Sequence, residues 1–246
     1  IESGVPVQIE KPITTDMAEF EELVAAAEEH DVPVSAVHNH DFDPVVRRLK
    51  ERLEDGDLGP VRAVDLTYTG ETYPDDVRRG EWAFELAGGE FEEGLPHPVY
   101  LLLHVGGYPA STDAIQVTTQ RAHEYERGFS YDGTGFQYRT PSGTLCSATL
   151  LASEVPDKTV TVHCESGTLV ADIVSQTLVT LDRDYEASST GRALNNLDQA
   201  GDRLSGTMRN ASAVLGRLGE DDWETMCDLR SHYYQFDAEA RALLDG

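Results

Sequence analysis

Lysine is almost missing from this chain. Among 246 residues only Lys11, Lys50 and Lys158 occur, and 19 lysines and arginines together face 45 aspartates and glutamates, a net charge of −26. Nucleic acids and anionic membranes are bound through clustered cations, so that shortage argues against both as partners. Cysteine is scarce too. Cys146, Cys164 and Cys227 lie far apart and no C-x-x-C occurs; this argues against a disulfide framework or zinc ribbon and fits reduced thiols in a cytosol. No apolar run approaches the roughly 20 residues of a membrane span, and no signal-peptide pattern opens the chain. There are no repeats and no low-complexity tract. The expected location is the cytoplasm.

The acids are spread along the chain among strands and apolar helix faces, which is not the pattern of a disordered tail. Their mutual repulsion is tolerable where salt screens it, over a Debye length of about 3 Å at 1 M. The composition therefore predicts a protein of an extreme halophile. Hydrophobic residues at 39% allow a real core, and the length allows one large or two modest domains. The chain does not begin with Met, and Ile1-Glu2-Ser3-Gly4 reads as the last turn of a helix with Gly4 as its C-cap. The expectation is a longer protein cut on the N-terminal side.

The organising stretch is Val5-Pro6-Val7-Gln8-Ile9-Glu10-Lys11-Pro12. It reads as a strand ending in a lysine, with Pro12 holding Lys11 extended. Residues 14–29 read as a helix started by Asp16, with Met17, Phe20, Leu23, Val24 and Ala27 on one face. Residues 32–37 read as a second strand, ending in His38-Asn39-His40. This is one βαβ unit of a parallel sheet, and ligands bind beyond the carboxyl ends of such strands, where Lys11 sits. Asp43-Pro44 then starts a helix carrying Val45, Leu49 and Leu53, and Gly56 ends it.

From Val61 onward the pattern alternates apolar with polar residues. Strands are expected over 61–68, 114–119, 135–139, 145–151, 160–164, 168–173 and 178–181, with hairpin-like turns at Pro141-Ser142-Gly143 and Glu165-Ser166-Gly167. The sheet should be antiparallel. Two helices follow, over 194–218 and 223–244. Leu194, Leu197, Leu204, Met208, Ala211, Val214 and Leu218 are the expected inner positions of the first.

Gly88-Gly89, Glu93 and His97 precede an apolar helical run. On one helix, positions i and i+4 share a face. Glu93 would then orient His97 and raise its pKa, making a proton-transfer unit. Pro96 and Pro98 limit this, because proline is tolerated only in a first turn. His38, His40 and Asp41 are ligand types at close spacing, and His38 and His40 would share a strand face; a loop at a sheet edge is preferred to a metal there, and no metal is expected. His104, seven residues after His97, is expected to pack.

Lys11, Glu93 and His97, with their surroundings, resemble the glucose–fructose oxidoreductase / inositol dehydrogenase (Gfo/Idh/MocA) family. Glu10-Lys11-Pro12 is similar to its Glu-Lys-Pro signature. Residues 37–44 are similar to its next strand and helix start, Gly88-Gly89…Glu93…His97 to its glycine-rich segment with an acid and a histidine, and residues 136–151 and 160–170 to its sheet domain.

The resemblance implies an α+β fold. Residues 1–40 would be the last βαβ unit of a Rossmann domain binding NAD or NADP. Residues 41–246 would be an open, mostly antiparallel sheet with flanking helices, of the dihydrodipicolinate-reductase C-terminal kind, carrying the substrate pocket and a homodimer or homotetramer interface. It implies an NAD(P)-dependent dehydrogenase acting on a sugar, inositol or related polyol. In it Lys11 would contact the substrate hydroxyl, His97 would be the general acid/base, and Glu93 would orient His97. Glu10, Lys11, Pro12 and Asn39 would lie on the cofactor side.

Two departures stand out. No G-x-G-x-x-G loop occurs, so the residues given should not hold the cofactor alone, and the usual Asp is Glu93. The rival expectations are a non-catalytic sugar-binding or dimerisation module of the same fold and, further off, a metal-dependent hydrolase using His38, His40 and Asp41.

Overall fold

A computed structural model describes residues 1–182, 188–216 and 231–245. The chain starts with a turn closed by Gly4 N–H to the Ile1 carbonyl. A short parallel pair follows, β1 (Val7–Ile9) with β2 (Val34–Ala36), linked by helix α1 (Met17–His30). Asp16 caps α1 by accepting the Ala18 N–H. Phe20, Leu23 and Ala27 of the expected inner face are half-buried, but Met17 and Val24 are exposed.

Helix α2 (Pro44–Glu54) starts with Pro44 in its first turn, as expected. Its apolar face, Val45, Val46 and Leu49, is fully buried. Asp43 stands at the cap position but makes no side-chain cap bond. Its carboxylate goes to His40 instead, 2.7 Å from Nδ1.

The main sheet has seven strands in the order β4-β5-β6-β3-β7-β8-β9. They are β3 (Val61–Gly70), β4 (Gln116–Gln120), β5 (Gly133–Arg139), β6 (Leu145–Ala152), β7 (Asp157–Cys164), β8 (Gly167–Asp172) and β9 (Thr177–Asp182). Every pairing is antiparallel except the central one, where β3 runs parallel to β6. The alternation that announced the strands sorts their faces. Val64, Leu66, Ala148, Leu150, Val160, Val162, Leu169 and Ala171 are buried on one face, and Asp65, Thr149 and Gln137 are exposed on the other.

Two helices cover the buried face: α2 lies over β8 and β9, and α4 (Pro96–Gly106) over β3 and β6. Burying these side chains supplies the main favourable term of folding, about 1.5–3 kcal/mol for each large aliphatic. A short helix α3 (Gly89–Gly94) leads into α4.

Helix α5 (Ser189–Gly216) overturns an expectation. Leu194, Leu197, Leu204 and Met208 were expected inside, yet they are 57–67% exposed, and Ala211 is exposed as well. The helix docks by its polar side. Asp202 Oδ2 accepts the Thr180 N–H at 2.9 Å, Asn210 donates to the Ser175 carbonyl, and Gly206 lets the helix approach Thr177. β9 is an edge strand, and an unpaired edge N–H draws an acceptor ahead of an apolar stripe. The side chain of Val214, Leu218 and the expected helical start from Trp223 lie outside the described residues, as does Cys227.

Helix α6 (Ser231–Asp245) returns to the parallel pair. Glu239 Oε2 accepts from Gln8 Nε2 and Ser35 Oγ at 2.6 and 2.7 Å, and Gln235 Nε2 donates to the Ala36 carbonyl at 2.7 Å. Cys146 and Cys164 are free thiols. Among the described residues no helix is long and apolar enough to cross a membrane.

Candidate functional site

Lys11 lies just beyond the carboxyl end of β1, and the peptide joining it to Pro12 is cis. Its side chain enters a cavity of about 420 Å³ between the parallel pair and the main sheet. The ammonium donates to Glu93 Oε1 at 2.5 Å and to the Glu93 carbonyl at 3.1 Å, with the two side chains 5% and 7% exposed. His97, His40, Tyr68, Arg79, Glu90 and Lys158 line the same space. The amine of the parallel part and the imidazole of the sheet part therefore share one cavity.

Glu93 and His97 do not face each other in the way expected. Pro96 opens a new helix, so Glu93 belongs to α3 and His97 to the first turn of α4. A proline in the first turn lacks the N–H that would have joined the two helices into one. Glu93 spends its carboxylate on Lys11, with Arg79 Nε 3.5 Å away. The Gly88-Gly89 pair has a clear physical role. Gly89 has φ +55°, and a Cβ there would stand 2.0 Å from the Pro74 carbonyl oxygen, so only glycine permits the close approach that seats α3.

His97 is oriented by Tyr100, one turn further along α4. Nδ1 is 2.9 Å from the Tyr100 hydroxyl. That hydroxyl accepts the His40 N–H at 3.0 Å and donates to Asn39 Oδ1 at 3.3 Å. With its proton committed to Asn39, the hydroxyl accepts from His97, and the tautomer assigned is Nδ1–H with a lone pair on Nε2. Burial, helped by His40, Lys11, Lys158 and Arg79, pushes the pKa of His97 down to about 2. This reverses the expected rise: the ring is buried, Lys11, Lys158 and Arg79 act on it, and among the described residues no carboxylate contact to it is found. A neutral imidazole with a free Nε2 offers a lone pair to a substrate hydroxyl, although so low a pKa makes it a weak base.

The other walls are polar. His40 Nδ1 is held by Asp43, and its ring meets His97 edge to face at 4.8 Å. Burial lowers the pKa of Lys158, whose ammonium lies 4.5 Å from the Tyr68 ring centroid. Glu90 is buried and accepts the N–H groups of Arg78 and Arg79, fixing the segment that brings Arg79 in.

Of the remaining expected site residues, Asn39 is buried behind Tyr100, while Glu10 is exposed and 3.9 Å from His232. Neither they nor Pro12 line the cavity. His38 and His40 do not share a strand face, because β2 stops at Ala36 and a 3-10 turn begins at Asn39. His40 turns toward the cavity. His38 stacks on the far side of Tyr100, its ring centroid 4.2 Å away, and His104 contacts Asp41.

The sequence does not single out Arg79 or Lys158, and it does not choose between core and pocket wall for Tyr100. One signal could have found Lys158: with three lysines among 246 residues, each is placed with unusual selectivity, and two of the three line this cavity.

The profile of the GFO/IDH/MocA C-terminal domain matches residues 46–170, about half of the chain. A myo-inositol dehydrogenase of Streptomyces leeuwenhoekii is 38% identical over 66 residues, 27% of this chain and 20% of its own. An uncharacterized protein of Saccharomyces cerevisiae is 29% identical over 118 residues, 47% of this chain and 33% of its own.

Among solved structures, levoglucosan dehydrogenase in complex with NADH and levoglucosan superposes with a TM-score of 0.63 at 17% identity, covering 76% of this chain and 53% of that one. An oxidoreductase from Agrobacterium radiobacter in complex with NAD+, L-tartaric acid and magnesium gives 0.59 at 14% identity, covering 73% and 52%. At such identities these two show the fold. The chain spans about half the length of these structures and a third or less of the curated relatives.

Proposed function

The chain belongs to the GFO/IDH/MocA family, and from that premise we propose that it is the substrate-side part of an NAD(P)-dependent dehydrogenase oxidising a sugar, inositol or related polyol. The observation that carries the reading is the convergence of Lys11, Glu93 and His97 on one polar cavity. In this reading residues 1–40 are a Rossmann remnant and residues 41–246 a sheet domain, with α6 packed back against β1 and β2. The open face of the sheet, on which Leu145 is exposed, is the surface for a homodimer or homotetramer.

The residues present fit one end of a dinucleotide. Lys11 reaches into the cavity from the end of a parallel strand, where the reacting ring would lie, but the sequence holds no glycine-rich loop for the pyrophosphate. Lys11 would touch the nicotinamide end, with Asn39 behind the wall. When bound, NAD(P) supplies the hydride acceptor.

The chain's own residues do the rest. The Lys11 ammonium donates to the hydroxyl that is oxidised and stabilises the charge developing on its oxygen. Glu93 holds that ammonium in place. His97 Nε2 takes the hydroxyl proton, and Tyr100 keeps the ring turned toward it. Arg79 and Lys158 offer donors to the other hydroxyls of a polyol.

The test is nicotinamide reduction by the full-length protein across inositols, aldoses and anhydrosugars. Turnover is expected with at least one of them. His97→Asn and Lys11→Met should each lower kcat by about 10²–10⁴-fold while cofactor affinity holds. No reduction with any polyol, or near-normal turnover in both variants, refutes the reading in favour of a binding module.

A further inference from the structure

A second cluster lies behind Tyr100, outside the cavity. His38 follows β2, Asp41 sits in the 3-10 turn over Asn39–Phe42, and His104 is in the last turn of α4. One ligand atom from each lies within 4.8 Å of the others. We propose that His38, Asp41 and His104 bind one divalent first-row transition metal ion, of which zinc and cobalt are the practical probes.

Two imidazoles and one carboxylate suit Zn²⁺, Co²⁺, Ni²⁺ or Fe²⁺. Mg²⁺ and Ca²⁺ prefer all-oxygen sets. Ligand atoms about 2.1 Å from one ion stand roughly 3–4 Å apart. Closing the set needs the direct His104–Asp41 contact to open and the farther ring to move in by about 1 Å, which side-chain rotation supplies. Asp41 already has the outer hydrogen bond that metal ligands carry. Asp41 is buried, and its other oxygen accepts from Lys50 Nζ at 3.0 Å. The His38 ring stacks on Tyr100 at an interplanar angle of 20°, a face along which it can slide toward the set. His104 is exposed, which leaves the ion a route in and an open position for water.

The place suggests what the ion would do. The turn 39–42 carries Asn39 and leads from His38 to His40, and α4 carries His97 and Tyr100. A metal joining His38 and Asp41 to His104 would clamp the two segments that frame the cavity, without entering it. This goes beyond the proposed oxidoreductase function and stands or falls separately from it.

The experiment uses the chain in 2 M KCl with excess Mg²⁺, which suppresses loose binding by its 45 carboxylates. Co²⁺ should bind at one equivalent with a visible absorption band, and Zn²⁺ should raise Tm. His104→Ala, at an exposed position that does not threaten folding, should lose the band and weaken binding at least about tenfold. His38→Ala should do the same. His97→Asn should bind as the parent does, which separates this site from the cavity. Absence of binding in the parent overturns the proposal, and so does equal binding by the double variant His38→Ala/His104→Ala, or loss of binding in His97→Asn alone.

Discussion

Lys11 Nζ stands 2.5 Å from Glu93 Oε1, across 82 residues of sequence, with both side chains almost fully withdrawn from solvent. This pair fastens the parallel unit to the sheet domain at the point where the two share a cavity. Removing one partner leaves a buried charge without compensation. Glu93→Ala should therefore lower the unfolding free energy by about 3–5 kcal/mol, measured by chemical denaturation. Lys11→Met combined with Glu93→Leu should recover most of that loss, because neither charge is then buried. A single-variant cost below about 1 kcal/mol would show that the pair is open to water.

The seating of α3 makes a second case. Gly89→Ala places a Cβ against the Pro74 carbonyl and forces a residue with a side chain to φ +55°. The backbone oxygen cannot move aside as a flexible side chain would. A loss of about 2–3 kcal/mol is expected. In the proposed dehydrogenase the same variant should also lose kcat, since Glu93 rides on α3. Gly4→Ala provides the contrast: nothing lies within 4 Å of its Cβ position, so only the strain at φ +69° remains.

Much of the fold was legible, because a sheet with one buried face writes its period into the sequence. Strands β5 to β9 follow from alternation such as Val160 and Val162 inside with Thr161 between them, and from turns such as Pro141-Ser142-Gly143. What stayed hidden depended on choices between partners. Glu93 could have faced His97 or Lys11, and the break at Pro96 decided it. The stripe on α5 could have faced the sheet, and the Thr180 N–H at an edge strand decided otherwise. The sequence does not choose between core and pocket wall for Tyr100, yet its hydroxyl ties His97, His40 and Asn39 together. His104 and Asp41 meet across 63 residues with no motif to announce them.

The outward stripe of α5 gives a prediction opposite to the sequence reading. Leu204 is 61% exposed, whereas Leu101 in α4 is fully buried. Leu204→Gln should change stability by no more than about 0.5 kcal/mol, as surface substitutions do. Leu101→Ala should cost about 2–5 kcal/mol. A Leu204→Gln cost above about 2 kcal/mol would mean that α5 buries its leucines.

His97 links the cavity to pH. Its pKa is about 2 in the folded chain and 6.5 when unfolded. Below pH 6.5 the unfolded chain binds the proton that the folded chain refuses, so stability falls as pH falls from 6.5 toward 2. The limiting slope for one such group is about 1.4 kcal/mol per pH unit. His97→Asn cannot titrate and should be the flatter of the two. Between pH 7.5 and 5 the parent should lose about 2 kcal/mol more than the variant. Parallel profiles would mean that the ring is solvated and protonates freely.

The net charge of −26 leads to the last prediction. Acids crowd exposed surfaces such as α1, where Glu21, Glu22, Glu28 and Glu29 all face solvent. Surface ion pairs such as Arg62 with Glu165 involve side chains more than half exposed, and such pairs contribute little. Folding draws these like charges closer together than the unfolded chain holds them, so the folded state bears more of the repulsion. Raising KCl from 0.1 to 1 M shortens the screening length from about 10 to 3 Å, below the spacing of many neighbouring carboxylates. Tm should climb across that range and stay high at 2 M, and an uncharged osmolyte of equal osmolality should do less. A Tm that is flat or falling with KCl would refute the view that this acidic surface is built for salt, and would place its stability in the core between α2, α4 and the sheet alone.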